Sequence, residues 1–574
     1  MQYLNSDLKI YTCIIVLASL LYISFIGCVP LFDWDEVNFA ECAREMIVTN
    51  NYSHVQLYFQ PFWEKPPLFI WMQVVSMKVF GISEFAARFP NALCGIITLL
   101  VLFNFGKKLN NPSFGVIWVC IYATTMLPLL YFKSGIIDPW FNLFMFLSVY
   151  QLIQHSYITD SKKLFQTAIY AGIFLGLAVL TKGPVALIIV CGSVFAFIGL
   201  SHFNKFSSVK FLAIFILALI LSGGSWFIFE AINGNVSVIK DFFEYQVRLF
   251  KTEDSGHGGS FFYHFVVLLF GCFPASFFLI LAHKSADDDL KQIHHKKWML
   301  ALFWVVLLLF SIVKTKIVHY SSLCYFPLTY LASYAVIKFI AKEFVWKSWM
   351  TVVLILTSIV LGIIFLALGF FNELKSILIN ADIIDDPFAL EILKSNISWN
   401  GYEWVIGLVF ILFSFICSYQ LFRGKIHWLF GYFVNSLVSM FTLIIFIIPK
   451  VEYASQHAAI EFYEFASKKG YYVETIGFKS YAYLFYGKVT DDYKNNPSFI
   501  KHYQKSLAEM KDNSESITQS FSKMMVYWLA EGKIDKPACF VAKITSEEDV
   551  KKYFKNLKKL YSKNGFIFYI RIPN

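Results

Sequence analysis

The sequence predicts a polytopic α-helical membrane protein that carries a water-soluble α/β domain at its C-terminal end. Three observations predict it. Of the 574 residues, 57% are hydrophobic and 19% aromatic, and only 15% are charged, whereas soluble globular chains are roughly a quarter charged. The apolar residues come in continuous runs long enough to span a bilayer, not in the two-residue alternation of a barrel. The charge is also uneven. Residues 449–574 hold 34 Asp, Glu, Lys and Arg, about 27%, while the first 448 hold 54, about 12%. The expected division is therefore a membrane domain over 1–448 and a soluble domain over 449–574.

Thirteen apolar runs can be marked along the first part: 12–29, 85–105, 114–131, 140–156, 164–180, 184–200, 209–229, 261–282, 298–313, 322–340, 349–371, 402–419 and 428–448. Each is about long enough to cross the hydrocarbon core. The segment 69–80 is apolar but short, and reads as interfacial. A retained first helix is the simpler reading of the N-terminal run, since residues 1–9 carry one basic side chain. Lysines and arginines in alternate short loops, among them Lys107, Lys108, Lys162, Lys163, Lys205, Lys210, Lys342, Lys347, Arg423 and Lys425, place those loops in the cytoplasm. An odd number of passes then puts residues 449–574 outside, together with the outer loops 30–84 and 230–260. The expected arrangement is a multi-pass membrane protein with the tail on the outer side.

In the tail, 454–468 has helical spacing, and 498–511 and 547–561 are helix-like. The segments 471–477, 539–544 and 566–572 are rich in aromatic and β-branched residues and read as strands. The ten cysteines have no zinc-ligand spacing, and no basic stretch is interleaved with a stacking platform, which argues against a nucleic-acid partner. Neither a Walker loop nor a Rossmann fingerprint occurs, so no nucleotide cofactor is expected.

The outer loops are unusually rich in chemistry. Phe32-Asp33-Trp34-Asp35-Glu36 places three carboxylates at a helix exit, a cluster that could bind a divalent cation, raise its own pKa values or cap the following helix. Gln60-Pro61-Phe62-Trp63-Glu64-Lys65-Pro66-Pro67 sets one carboxylate and one ammonium on a rigid aromatic platform. Ile137-Asp138-Pro139 stands at a helix start, where Asp138 could be a cap. Thr181-Lys182-Gly183-Pro184 is a tight turn, and Lys182 could be structural. Arg248 precedes Ser255-Gly256-His257-Gly258-Gly259-Ser260, a glycine-rich segment suited to a lid, in which His257 could ligate a metal or only hydrogen-bond. In Lys314-Thr315-Lys316-Ile317-Val318-His319-Tyr320, two lysines and a phenol could clamp phosphate oxygens.

These six motifs, in this order and on one side of the membrane, resemble the GT-C glycosyltransferases. Within them they are most similar to the bacterial branch of the dolichyl-phosphate-mannose protein mannosyltransferase family that includes the aminoarabinose transferase of lipid A. The resemblance covers the whole membrane domain. It implies thirteen helices with an external C-terminal domain, and a transfer of sugar from a polyprenyl-phosphate donor to a glycolipid or glycoprotein acceptor outside the cytoplasm, as in lipid A modification. Carried over by position, Asp35 or its neighbour Asp33 is the implied base or acceptor-positioning group, and Asp138 the second acid. Lys65, Arg248 and Tyr320, with Lys316 beside them, would hold the lipid phosphate. Glu64 matches a metal-binding position, and a divalent metal is a further expectation. The chain departs from the pattern at Glu244-Tyr245-Gln246, where the aminoarabinose transferases carry a histidine, so His257 or Glu244 would have to supply the second ligand. The alternatives are a protein O-mannosyltransferase-like enzyme, a transporter or flippase of lipid-linked sugars, and a sensor whose tail binds a partner. The clustering of ionisable groups at the outer face, not the midplane, speaks against transport.

Overall fold

The computed structural model describes residues 2–62, 64–201, 208–252, 258–282, 290–381, 384–395, 397, 399, 401–510 and 517–573. Each of the thirteen apolar runs has its helix. Among the described residues, seven helices are long and apolar enough by themselves to cross a membrane, and two bent pairs, Val209–Gly223 with Ser225–Ile232 (54°) and Tyr263–Gly271 with Ala275–Leu281 (109°), would raise this to nine. The shorter apolar helices include Leu68–Phe80, the segment read as interfacial.

Local chemistry sets many of the helix starts. The side chains of Ser83, Asn111, Asp160 and Ser208 each accept a hydrogen bond from a backbone N–H in the first turn of the helix that follows, satisfying donors that have no partner within the helix. Helix Ser161–Lys182 lies between Asp138–His155 and Val209–Gly223. Small residues allow the close approach: a Cβ on Gly176 would collide with the Ser222 hydroxyl and sit 2.7 Å from the backbone nitrogen of Gly223.

The tail folds as a four-stranded sheet. Its strands are β3 (Tyr472–Ile476), β4 (Ala538–Lys543), β5 (Lys558–Lys563) and β6 (Phe566–Arg571), after a two-stranded hairpin of β1 (Gln56–Leu57) and β2 (Gln60–Pro61) in the first outer loop. The order is β3-β4-β6-β5, with β3 parallel to β4 and the other pairs antiparallel. Helices His457–Lys469 and Ile517–Glu531 cover it. Strand β5 corrects the sequence expectation of helix through residue 561. The helix ends at Tyr553, and the chain returns through Asn564-Gly565, both at positive φ, the favoured dipeptide of a two-residue hairpin turn. Lysines at 558, 559 and 563 keep this edge strand polar, which masked its strand character and protects the open edge from pairing.

The first outer loop and the tail share one hydrophobic core. Leu31, Val37, Leu57, Tyr58 and Phe62 belong to the same buried cluster as Tyr463, Tyr483, Phe521 and Trp528. Polar links reinforce it: Tyr58 Oη donates to buried Glu474 at 2.6 Å, Arg44 to the carbonyl of Val489 at 2.7 Å, and the Leu31 N–H to Tyr486 Oη at 2.7 Å. The amphipathic helix Val236–Lys251 is tied to the same loop, with His54 2.9 Å from Glu230 and Asn235 donating to Glu230 at 2.7 Å.

Candidate active site

A cavity of about 290 Å³ opens where these outer segments converge, and Asp35, Glu64, Lys65, Asp138, Lys182, Tyr245, His319 and Tyr320 line it. Each side chain arrives from a chain turn that the sequence specifies. Asp35 is the first residue of helix Asp35–Thr49, and Asp138 the first of Asp138–His155 with Pro139 behind it. Neither caps its helix: Trp34 and Ile137 hold the cap positions, without side-chain bonds. Lys182 ends helix Ser161–Lys182. Gly183 follows at φ +101°, and Phe242 of the amphipathic helix rests where a Cβ would lie, 2.6 Å away. Glycine therefore both turns the chain and seats that helix.

The three carboxylates of the first loop have three different partners. Glu36 is buried and held by Arg88, with Nε to Oε1 at 3.0 Å and Nη2 to Oε2 at 2.7 Å. Arg88 also donates to the carbonyls of Ile26, Val29 and Pro30, so this pair fixes the path of the loop. Asp33 stands at the cavity rim, and its carboxyl accepts hydrogen bonds from the Ser480 hydroxyl and the Tyr481 N–H of the tail. Crowding between loop and tail pushes it up to about 6 against these bonds and against Lys543 and Lys479, although the residue as a whole stays exposed to solvent. Asp35 alone of the three faces His319, 3.6 Å from Nε2.

Asp138 is buried and paired with Lys182, Oδ1 to Nζ 2.5 Å; its Oδ2 lies 3.6 Å from the same His319 Nε2. The Lys182 ammonium also lies 4.8 Å from the ring centroid of Tyr320. Burial holds the Lys65 ammonium below its ordinary range, against the pull of Glu64 and Asp35. The cavity thus gathers five carboxylates, Asp33, Asp35, Glu36, Glu64 and Asp138, around two ammonium groups, Lys65 and Lys182, in a confined space where charge interactions are stronger than in water.

The other expected residues fall in different places. Arg248 is exposed and stacks on Tyr245, which stands between it and the cavity wall. Lys316 does not line the cavity. Its ammonium donates to the carbonyls of Phe310 (3.0 Å), Ser311 (2.6 Å) and Val313 (2.6 Å), closing the end of helix Leu290–Ile312, a C-terminal location that favours a cation. His257 and Trp63 lie outside the described residues. Glu244 pairs with Lys240 at 3.6 Å in solvent. Among the described residues no group of three or more His, Cys, Asp or Glu side chains could hold a metal ion. Sequence reasoning passed over His319 and Tyr245. His319 stood inside a quoted motif, but only its position between two distant carboxylates reveals a role.

Beside the polar cavity runs an apolar groove of about 440 Å³, lined by residues such as Phe25, Val29, Leu127, Leu130 and Ile444; Phe32, Glu36, Ile136 and His319 belong to both walls.

Residues 64–226 match the family model of dolichyl-phosphate-mannose-protein mannosyltransferase. The chain is 27% identical over 333 residues to the undecaprenyl phosphate-alpha-4-amino-4-deoxy-L-arabinose arabinosyl transferase of Wigglesworthia glossinidia brevipalpis, covering 57% of this chain and 58% of that protein. It is 26% identical over 305 residues to transferase 1 of that name from Proteus mirabilis, covering 53% and 55%. The matched region therefore spans a little over half the length of these relatives. The crystal structure of ArnT from Cupriavidus metallidurans bound to undecaprenyl phosphate superposes over 97% of both chains with a TM-score of 0.73 at 15% identity. The fold is that of this ArnT structure. The family match in sequence takes in the motifs around Glu64, Asp138 and Lys182, and the likeness in fold extends over the membrane helices and the C-terminal α/β domain together.

Proposed function

We propose that this chain is a glycosyltransferase that moves a sugar from a polyprenyl-phosphate donor to a lipid A-like glycolipid or other acceptor outside the cytoplasm of a bacterium. The observation that carries the reading is the junction of the two spaces: a charged cavity of sugar size opens directly beside an apolar groove suited to a prenyl chain. The sequence relatives, arabinosyl transferases by name, supply the same chemistry.

In this reaction the bond between the anomeric carbon and the phosphate oxygen breaks, and its electron pair leaves with the phosphate. Lys65, with Tyr320 across the cavity and Arg248 behind Tyr245, would stabilise that developing charge, the kind of help worth a few kcal/mol per donor. The acceptor oxygen forms the new bond to the anomeric carbon, and Asp35 would align it and take its proton. A phosphate acceptor is already anionic and needs only the alignment. Asp138, neutralised by Lys182, would hold the sugar, not the proton. The tail would face the periplasm and help to bind the acceptor.

Purified protein supplied with polyprenyl-phosphate sugar and a lipid A acceptor should release free polyprenyl phosphate with a matching gain of mass in the acceptor. Transport of intact donor across a proteoliposome membrane without release would replace the reading with that of a flippase. A cysteine placed at Lys468, exposed on the tail, should react with an impermeant thiol reagent in intact spheroplasts.

A further inference from the structure

We infer that His319 is a positioning residue of this site: it joins Asp35 and Asp138 into one unit and sets the orientation of Asp35. The inference rests on the glycosyltransferase reading and adds to it a residue that the motif resemblance does not assign.

The geometry is specific. One imidazole nitrogen, Nε2, lies 3.6 Å from Asp35 Oδ2 and 3.6 Å from Asp138 Oδ2. Asp35 comes from the first outer loop and Asp138 from a helix start about a hundred residues later, so nothing local brings them together. Two carboxylate oxygens facing one nitrogen require the proton on Nε2, because an unprotonated nitrogen there would repel both. The distances exceed a full hydrogen bond, so a small rotation commits the N–H to either oxygen. Asp138 Oδ2 is buried and has no hydrogen-bond partner among the described residues, while its other oxygen is taken by Lys182. Such an acceptor is costly to leave unpaired, and His319 is the donor placed to reach it.

The backbone under His319 is fixed to the same helix. His319 lies in the 3-10 turn Val318–Cys324; the Ser322 hydroxyl donates to the His319 carbonyl, and Asn142 donates to Ser322 Oγ at 2.7 Å. Asn142 is one turn after Asp138 on the same helix, so the imidazole and the Asp138 carboxylate are held in register by a second bond. The charged groups that face the imidazole are Asp35, Asp138, Lys182 and Lys65, with Glu36 and Arg88 on the groove side.

An N–H given to Asp35 stabilises its carboxylate, fixes one oxygen and leaves the other for the acceptor. Without it, the Asp35 carboxylate is free to turn away from the acceptor, and Asp138 Oδ2 loses the donor placed to reach it.

The experiment measures kcat and KM for transfer by His319→Ala and His319→Gln, together with binding of polyprenyl phosphate. His319→Ala should lower kcat about ten- to a hundredfold, the cost of a misplaced group, with KM for the donor and lipid-phosphate affinity within about twofold of the parent. His319→Gln, which keeps an N–H donor, should recover much of the rate, and it carries the test if the alanine variant does not fold. Parent-like kcat in the alanine variant, or a folded glutamine variant with less than about a tenth of the parent's kcat, would overturn the inference, as would a loss confined to lipid binding. A parent enzyme that releases no polyprenyl phosphate would instead overturn the reading on which it rests.

Discussion

Lys65 and Arg248 meet on one ring: the ammonium and the guanidinium each lie 5.1 Å from the centroid of Tyr245. Lys65 follows strand β2 and Arg248 lies in helix Val236–Lys251, and the phenol face offsets part of their mutual repulsion. Tyr245 thus links a cavity lysine to a cation that stands in solvent.

Lys65→Ala should weaken polyprenyl-phosphate binding about ten- to a hundredfold, since a charge-assisted hydrogen bond is worth about 1.5–3 kcal/mol and each 1.4 kcal/mol is tenfold. Arg248→Ala should weaken it less, because Arg248 stands outside the wall and in solvent. Lys108→Ala is the control for a lysine outside the cavity. Direct binding to the purified variants decides the matter, and equal affinity for Lys65→Ala and the control would displace the donor site.

The neighbours Asp33 and Asp35 should behave differently although both are acids of one motif. Asp35→Asn should lower transfer about a hundredfold or more, as expected for the loss of a general base. Asp33→Asn should act through loop–tail contact, with a smaller fall in rate and a lower thermal stability. Steady-state rates and melting temperatures of the two variants separate these effects, and an equal loss of rate at normal stability would contradict the geometry.

Lys316→Met should leave lipid-phosphate affinity unchanged and cost stability, on the order of 2 kcal/mol for the lost charged bonds to the end of helix Leu290–Ile312. A thermal melt in detergent beside the binding assay is the check. A selective loss of binding would return Lys316 to the phosphate site.

Docking of the first outer loop on the tail should weaken as pH rises. Burial pushes the Glu474 carboxyl, which accepts the Tyr58 hydroxyl, up to about 7 from an ordinary 4.5. The folded state therefore holds a proton that the unfolded chain has lost between these values. Stability is fully present below about 4.5 and falls by about 1.4 kcal/mol per pH unit across the window. Glu474→Gln removes the titration, so its melting temperature between pH 5 and 8 should decline less than the parent's. Parallel curves would show that this carboxyl does not govern the docking.

Hydropathy and charge are local properties, and the features they dictate were legible in the amino-acid order. All thirteen apolar runs became helix, because any buried or lipid-facing backbone must satisfy its own hydrogen bonds. The glycine and proline of Thr181-Lys182-Gly183-Pro184 announced the turn that delivers Lys182. Direction was not legible. Asp33, Asp35 and Glu36 look alike in sequence, and their partners lie far along the chain: Ser480 and Tyr481 for the first, His319 for the second, Arg88 for the third. Lys316 was read as a phosphate ligand beside Tyr320, but the carbonyls ending the preceding helix were nearer. His319 acquired its place only when the helix of Asp138 and the loop of Asp35 were packed on either side of it. Which carboxylate enters the cavity is decided by long-range pairing of buried charges, since each must find a partner or stay solvated, and no local pattern encodes which partner it finds.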